Sequence, residues 1–160
     1  MRKDILEQKA NPKNIYKTDE WLDLETIASV QLTSEDPGFP IENALSANPE
    51  RNEIGWRAAA PGPQTITLNF DHPQKIRRIH LLFIEHQRER SQEFVLRYSS
   101  RQDTEGEIAR QQWNFSPTGS SQEIEDYTVN LDSVTKLELA IDPDRGSGLA
   151  VATINTLRLA

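Results

Sequence analysis

Cysteine is absent from this 160-residue chain. That excludes disulfides, thiolate zinc sites, iron–sulfur clusters and cysteine nucleophiles. Long apolar runs are also missing, and no window approaches the ~20 apolar residues of a membrane span. No long amphipathic helical stretch occurs, so nothing is available to make the crossovers of a parallel α/β sheet. The opening residues, Met1-Arg2-Lys3-Asp4-Ile5-Leu6-Glu7, lack the apolar core of a signal peptide. The expectation is a soluble, cytoplasmic protein.

Catalytic signatures are scarce as well. The three histidines, His72, His80 and His86, match no zinc spacing. There is no Gly-x-Ser-x-Gly elbow and no phosphate-cradling glycine loop. Asp142-Pro143-Asp144-Arg145-Gly146-Ser147-Gly148 lacks the third carboxylate position and the terminal glutamate of an EF-hand. A glycosidase pair requires facing carboxylates, which abundance alone does not supply. No catalytic residue can be nominated, and the expectation is a protein that is not an enzyme.

What is present is charge and alternation. Charged residues make up 27% of the chain and hydrophobic residues 36%, with a net charge of −7. An acidic chain repels nucleic acid at long range. Two basic stretches stand out against it. One is residues 1–17, with Arg2, Lys3, Lys9, Lys13 and Lys17. The other is residues 75–101, with Lys75, Arg77, Arg78, Arg88, Arg90, Arg97 and Arg101. The second reads chiefly as solvated positions on strands.

Residues 1–18 are polar, with a short helical piece around Asp4–Lys9 that Pro12 stops, and read as a flexible or docking arm. Residues 19–160 read as one domain, with Trp21 packing on its edge. From Thr26 the pattern changes to period two. Strands are expected at Ile27–Thr33, Gln64–Phe70, Lys75–Glu85, Phe94–Ser99, Tyr127–Leu131, Lys136–Ile141 and Val151–Leu159, with Trp113–Phe115 beginning an irregular one. Asp71-His72-Pro73 reads as a turn, and Arg101–Arg110 as a polar loop. In the last strand the apolar parity switches between Ile154 and Leu157, which predicts a bulge near Asn155. About eight short strands with hardly any helix give an all-β, antiparallel jelly-roll β-sandwich.

A series of segments carries a family resemblance. Ala28-Ser29, Asn43-Ala44-Leu45-Ser46-Ala47-Asn48-Pro49, Trp56, Ile66–Phe70, Ile76–Ile79, Phe94–Ser99 and Ala150–Leu159 fall in order. This series resembles the discoidin, or coagulation factor C-type, galactose-binding-like family. Trp56-Arg57-Ala58-Ala59 followed by Thr65-Ile66 is also similar to the N-terminal domain of the X-ray repair scaffold, which shares this fold. The resemblance implies a binding module with loops presented at one end of the sandwich. It also implies a structural calcium ion beside the Asn43–Pro49 turn. Ser46, Ala47 and Asn155 stand where the family places Asp, Gly and Glu, so the expectation is no cofactor, with calcium the one alternative left open.

The ligand residues implied are Phe39, Glu85, His86, Arg88, Arg90 and Arg145. Planar guanidinium donors beside His and Gln can chelate vicinal hydroxyls or a carboxylate. Two functions stay open. One is a non-catalytic module binding a small polar ligand, with carbohydrate the class implied. The other is an intracellular protein–protein interaction scaffold, with nucleic acid a less favoured partner and no membrane.

Overall fold

The computed structural model describes residues 21–160. The arm expected at residues 1–18 lies outside the described residues. Three short helices and eight strands follow in chain order. They are α1 (Leu24–Ile27), β1 (Ala28–Leu32), α2 (Glu42–Leu45), α3 (Pro49–Ile54), β2 (Trp56–Pro61) and β3 (Gln64–Ile84). After these come β4 (Arg90–Ser100), β5 (Glu105–Phe115), β6 (Gln122–Asp142), β7 (Val151–Ile154) and β8 (Thr156–Leu159). Every strand pairing is antiparallel. The all-β sandwich expected from the alternation is the fold observed.

Two long strands build both layers. The first half of β3 pairs β1 and the last half of β6, while its second half pairs β8 and the first half of β6. β4 and β5 extend the first layer, in the order β1-β3-β6-β4-β5. Each long strand bends where its register shifts, between Asn69 and Arg78 in β3 and opposite, near Leu131–Val134, in β6. Ser133 takes a positive φ of 54° at that bend. Asp71-His72-Pro73 therefore marks a bulge, not the chain reversal read from its composition. Proline has no N–H to give a ladder, and a bulge asks for none.

The second departure is β5. The composition predicts a polar loop over Arg101–Arg110, yet residues 105–115 pair β4 from Ser99↔Glu105 to Arg90↔Phe115. β5 is the outermost strand of its layer. Its outward face is solvated and carries Glu105, Glu107, Arg110 and Gln112, which hides the alternation. The strands expected at Tyr127–Leu131 and Lys136–Ile141 are likewise two parts of β6. The bulge predicted near Asn155 falls where the expected single strand divides into β7 and β8.

Between the layers lies one apolar core. Trp56, Phe83, Phe94, Phe115, Leu96 and Leu139 are fully buried within it. Phe83 from one layer stacks on Phe94 from the other at 5.4 Å between ring centroids. Burial of each such side chain stabilises the fold by about 1.5–3 kcal/mol relative to exposure. Trp21 lies on the edge as expected, with the Arg78 guanidinium 4.9 Å over its ring.

Candidate ligand-binding groove

Four chain segments meet at one end of the sandwich. The 33–41 loop brings Phe39, the turn between β3 and β4 brings Glu85 to Arg88, and the strand pair β2–β7 brings Arg57 and Thr153. They enclose two adjoining hollows. The larger, of about 430 Å³, is lined by Arg57, Ile84, Glu85, Gln87, Arg88 and Leu149 among others. The smaller, of about 170 Å³, adds Phe39, Glu53 and His86. Arg57, Ile84, Glu85, Gln87 and Thr153 border both, so the two form one groove.

The β3–β4 turn is held rigidly from beneath. Glu85 Oε2 accepts the backbone N–H groups of Gln87 at 3.0 Å and Arg88 at 3.3 Å. Its Oε1 accepts Arg90 Nε at 2.7 Å. Burial pushes the Glu85 carboxyl up, but these donors outweigh it and hold its pKa below the ordinary value. Arg90 donates onward through one terminal nitrogen to Gln92 Oε1 and to the Pro143 carbonyl. Its guanidinium lies 4.5 Å over the Phe115 ring. Gln92 in turn donates to Glu123 Oε1 at 3.1 Å. Burial, followed by the neighbouring Glu125 carboxylate, raises the Glu123 pKa to about 8. A buried polar chain thus runs from β6 through β4 to the groove wall.

The residues nominated from sequence separate into three groups. Phe39, Glu85, His86 and Arg88 all line the groove. Arg90 does not; its side chain is 1% exposed and supports Glu85 from below. Arg145 lies away from the groove, donating its backbone N–H to Ser91 O and its guanidinium to Gln112 Oε1. Arg57 and Leu149 line the groove and were not nominated. Arg57 donates its backbone N–H to Phe39 O at 3.2 Å and sets its guanidinium 4.6 Å over the Phe39 ring. Trp56, 1% exposed, is core and offers no platform.

No family model matches the chain, and no curated protein matches it. Solved structures do. The family 32 carbohydrate-binding module of Clostridium perfringens NanJ, solved with galactose, is 16% identical with a TM-score of 0.60. The match covers 87% of this chain and 96% of that one. CpGH89CBM32-5 from Clostridium perfringens, solved with GalNAc-β-1,3-galactose, is 17% identical with a TM-score of 0.62, covering 88% and 99%. The family 32 module of AlyQ, solved with 4,5-unsaturated mannuronic acid, is 16% identical with a TM-score of 0.54, covering 84% and 95%. The fold is the galactose-binding-like β-sandwich. At these identities the likeness establishes the architecture alone.

The turn where the resemblance implied calcium is filled by amides. Asn155 Nδ2 donates to the carbonyls of Asn52 and Glu53, at 3.0 and 3.2 Å. Asn52 Nδ2 donates to the carbonyls of Asn43 and Ser46, at 2.8 and 3.0 Å. Arg158 brings a guanidinium to 2.7 Å from Asn52 Oδ1. Calcium needs six or more oxygens with carboxylates among them. Here the backbone oxygens already accept N–H groups, and a fixed positive charge stands beside them. Among the described residues no group of three acidic or histidine side chains could hold a metal. The residues present do not fit the ion.

Proposed function

We propose that this protein is a non-catalytic carbohydrate-binding module whose ligand enters the groove between Phe39, Arg57 and the Glu85–Arg88 turn. The observation that carries the reading is convergence. Segments distant in sequence place polar donors and acceptors and apolar side chains such as Phe39, Ile84 and Leu149 around one concavity. A saccharide asks for this mixture of hydrogen-bonding groups and C–H surface. The turn is organised before a ligand arrives, which reduces the ordering cost of binding. The sugar complexes of structural neighbours support the same reading.

The affinity is modest. A monosaccharide of about a dozen heavy atoms, at ~0.3 kcal/mol per atom, gives a Kd on the order of 1 mM. Glycan-array screening followed by calorimetry tests the assignment. Saccharide binding at one site, weakened several-fold in Gln87→Ala, is the expected result. Failure of every sugar to bind, or equal binding by Gln87→Ala and His86→Ala together, overturns it.

A further inference from the structure

Resting on that carbohydrate reading, we infer that the ligand is an acidic saccharide, a uronic-acid sugar whose carboxylate is met by Arg57 and Arg88. The inference comes from the charge lining the larger hollow, which is opposite to that of the whole chain. The protein carries a net −7. Most cations of the 75–101 stretch have carboxylate partners: Lys75 with Asp132, Arg78 with Asp126, Arg90 with Glu85 and Arg97 with Glu107. Among the described residues, Arg57 and Arg88 have no carboxylate within salt-bridge distance. Both are exposed and both line the larger hollow.

The one carboxylate in that hollow is Glu85, and both its oxygens are already occupied. Oε1 takes the Arg90 guanidinium and Oε2 the two turn amides. Its charge is matched by a buried cation 2.7 Å away, so it does not cancel the charge of Arg57 and Arg88. Glu53 and His86 border only the smaller hollow. Among the described residues the larger hollow therefore keeps two guanidinium groups with no carboxylate partner, and their planar donors suit a carboxylate.

The apolar surface points the same way. A neutral sugar is commonly held by an open aromatic face. Phe39 is the groove's partly exposed aromatic side chain, and the Arg57 guanidinium lies over its ring. Trp56 is buried. Leu149, 68% exposed on the wall of the larger hollow, offers a narrower apolar contact. A guanidinium thus stands where a neutral ligand would need a bare ring, and charge takes over from stacking.

The test compares each neutral oligosaccharide with its acidic counterpart by calorimetry: galactose with galacturonate, glucose with glucuronate, mannose with mannuronate oligomers, and oligogalacturonides with their methyl esters. In at least one pair the acid is expected to bind about tenfold or more tightly, as charge-assisted bonds require. That advantage should shrink as salt rises from about 0.05 to 0.5 M. Arg88→Gln and Arg57→Gln, which keep a hydrogen-bonding amide, should each remove most of it while leaving the melting temperature unchanged. Equal binding of acid and neutral forms in every pair overturns the inference and leaves the carbohydrate reading standing. So does an acid preference that both Gln variants retain. Absence of binding to either form overturns both.

Discussion

Gly55 has a φ of +69°, and a Cβ there would stand 2.8 Å from the Ile154 carbonyl oxygen and 2.9 Å from Asn155 Cα. Both obstacles are backbone, so neither can swing aside. Gly55→Ala should destabilise the domain by about 2 kcal/mol or more, combining left-handed strain with the overlap. Urea unfolding checks this; a loss below about 0.5 kcal/mol would show that the α3–β2 junction relaxes. Arg90 illustrates how far single residues can be read from sequence. Phe94, Leu96 and Tyr98 alternate onto the core face, and two more steps back along β4 reach Gln92 and Arg90. The parity already put Arg90 inside, but its charge argued for solvent. What reconciles the two is a set of partners from the turn, Gln92 and the Pro143 carbonyl, and pairing across such distances is not written in local pattern. Arg57 was passed over for the reverse reason. It follows the core Trp56 and alternates outward, and only the fold brings it against Phe39.

At the scale of elements, legibility followed burial. Gln64–Phe70 and Phe94–Ser99 were plain because one face of each is core and the other is not. β5 was obscured because an edge strand buries little. The long strands were cut into pieces because a bulge and a turn use the same residues, and only pairing tells them apart. The Asn43–Pro49 turn was legible by composition, while its chemistry needed the structure. Asn155, between β7 and β8, ties α3, which follows that turn, to the end of β3, donating to the Asn52 and Glu53 carbonyls and accepting the Ile84 N–H. Chelation is accordingly expected to leave the melting temperature within about 1 °C, with or without added calcium. An ion bound at 100-fold excess over its Kd would raise it by about 5–10 °C. Asn155→Ala, which strands three backbone groups, should instead cost about 3 kcal/mol. A calcium-dependent melting temperature in the unaltered protein would refute the amide replacement.

Across the whole molecule, the buried polar chain links the core to pH. Glu123 lies fully inside the sandwich; Gln92 and Arg90 face it from β4, and Glu125 faces it from its own strand. Its Oε2 has no partner as a carboxylate acceptor, whereas a protonated oxygen could donate toward Glu125. Burial and Glu125 together raise the folded pKa to about 8, far above the ordinary carboxyl value. A group raised on folding holds its proton more tightly in the native state. Its stabilising contribution is complete below the unfolded pKa and is lost as pH rises through the folded one. Stability should therefore fall between about pH 5 and 8. Glu85 acts in the opposite sense and in a lower window: its lowered pKa stabilises above the unfolded value, and that contribution fades only in acid. Glu123→Gln keeps an amide that can still meet Gln92 and removes the titration. Its melting temperature should be nearly flat from pH 5 to 8 and exceed that of the unaltered protein at pH 8. A slope unchanged in the variant would assign the pH dependence to some other group, and would mean that Glu123 is held ionised by Arg90.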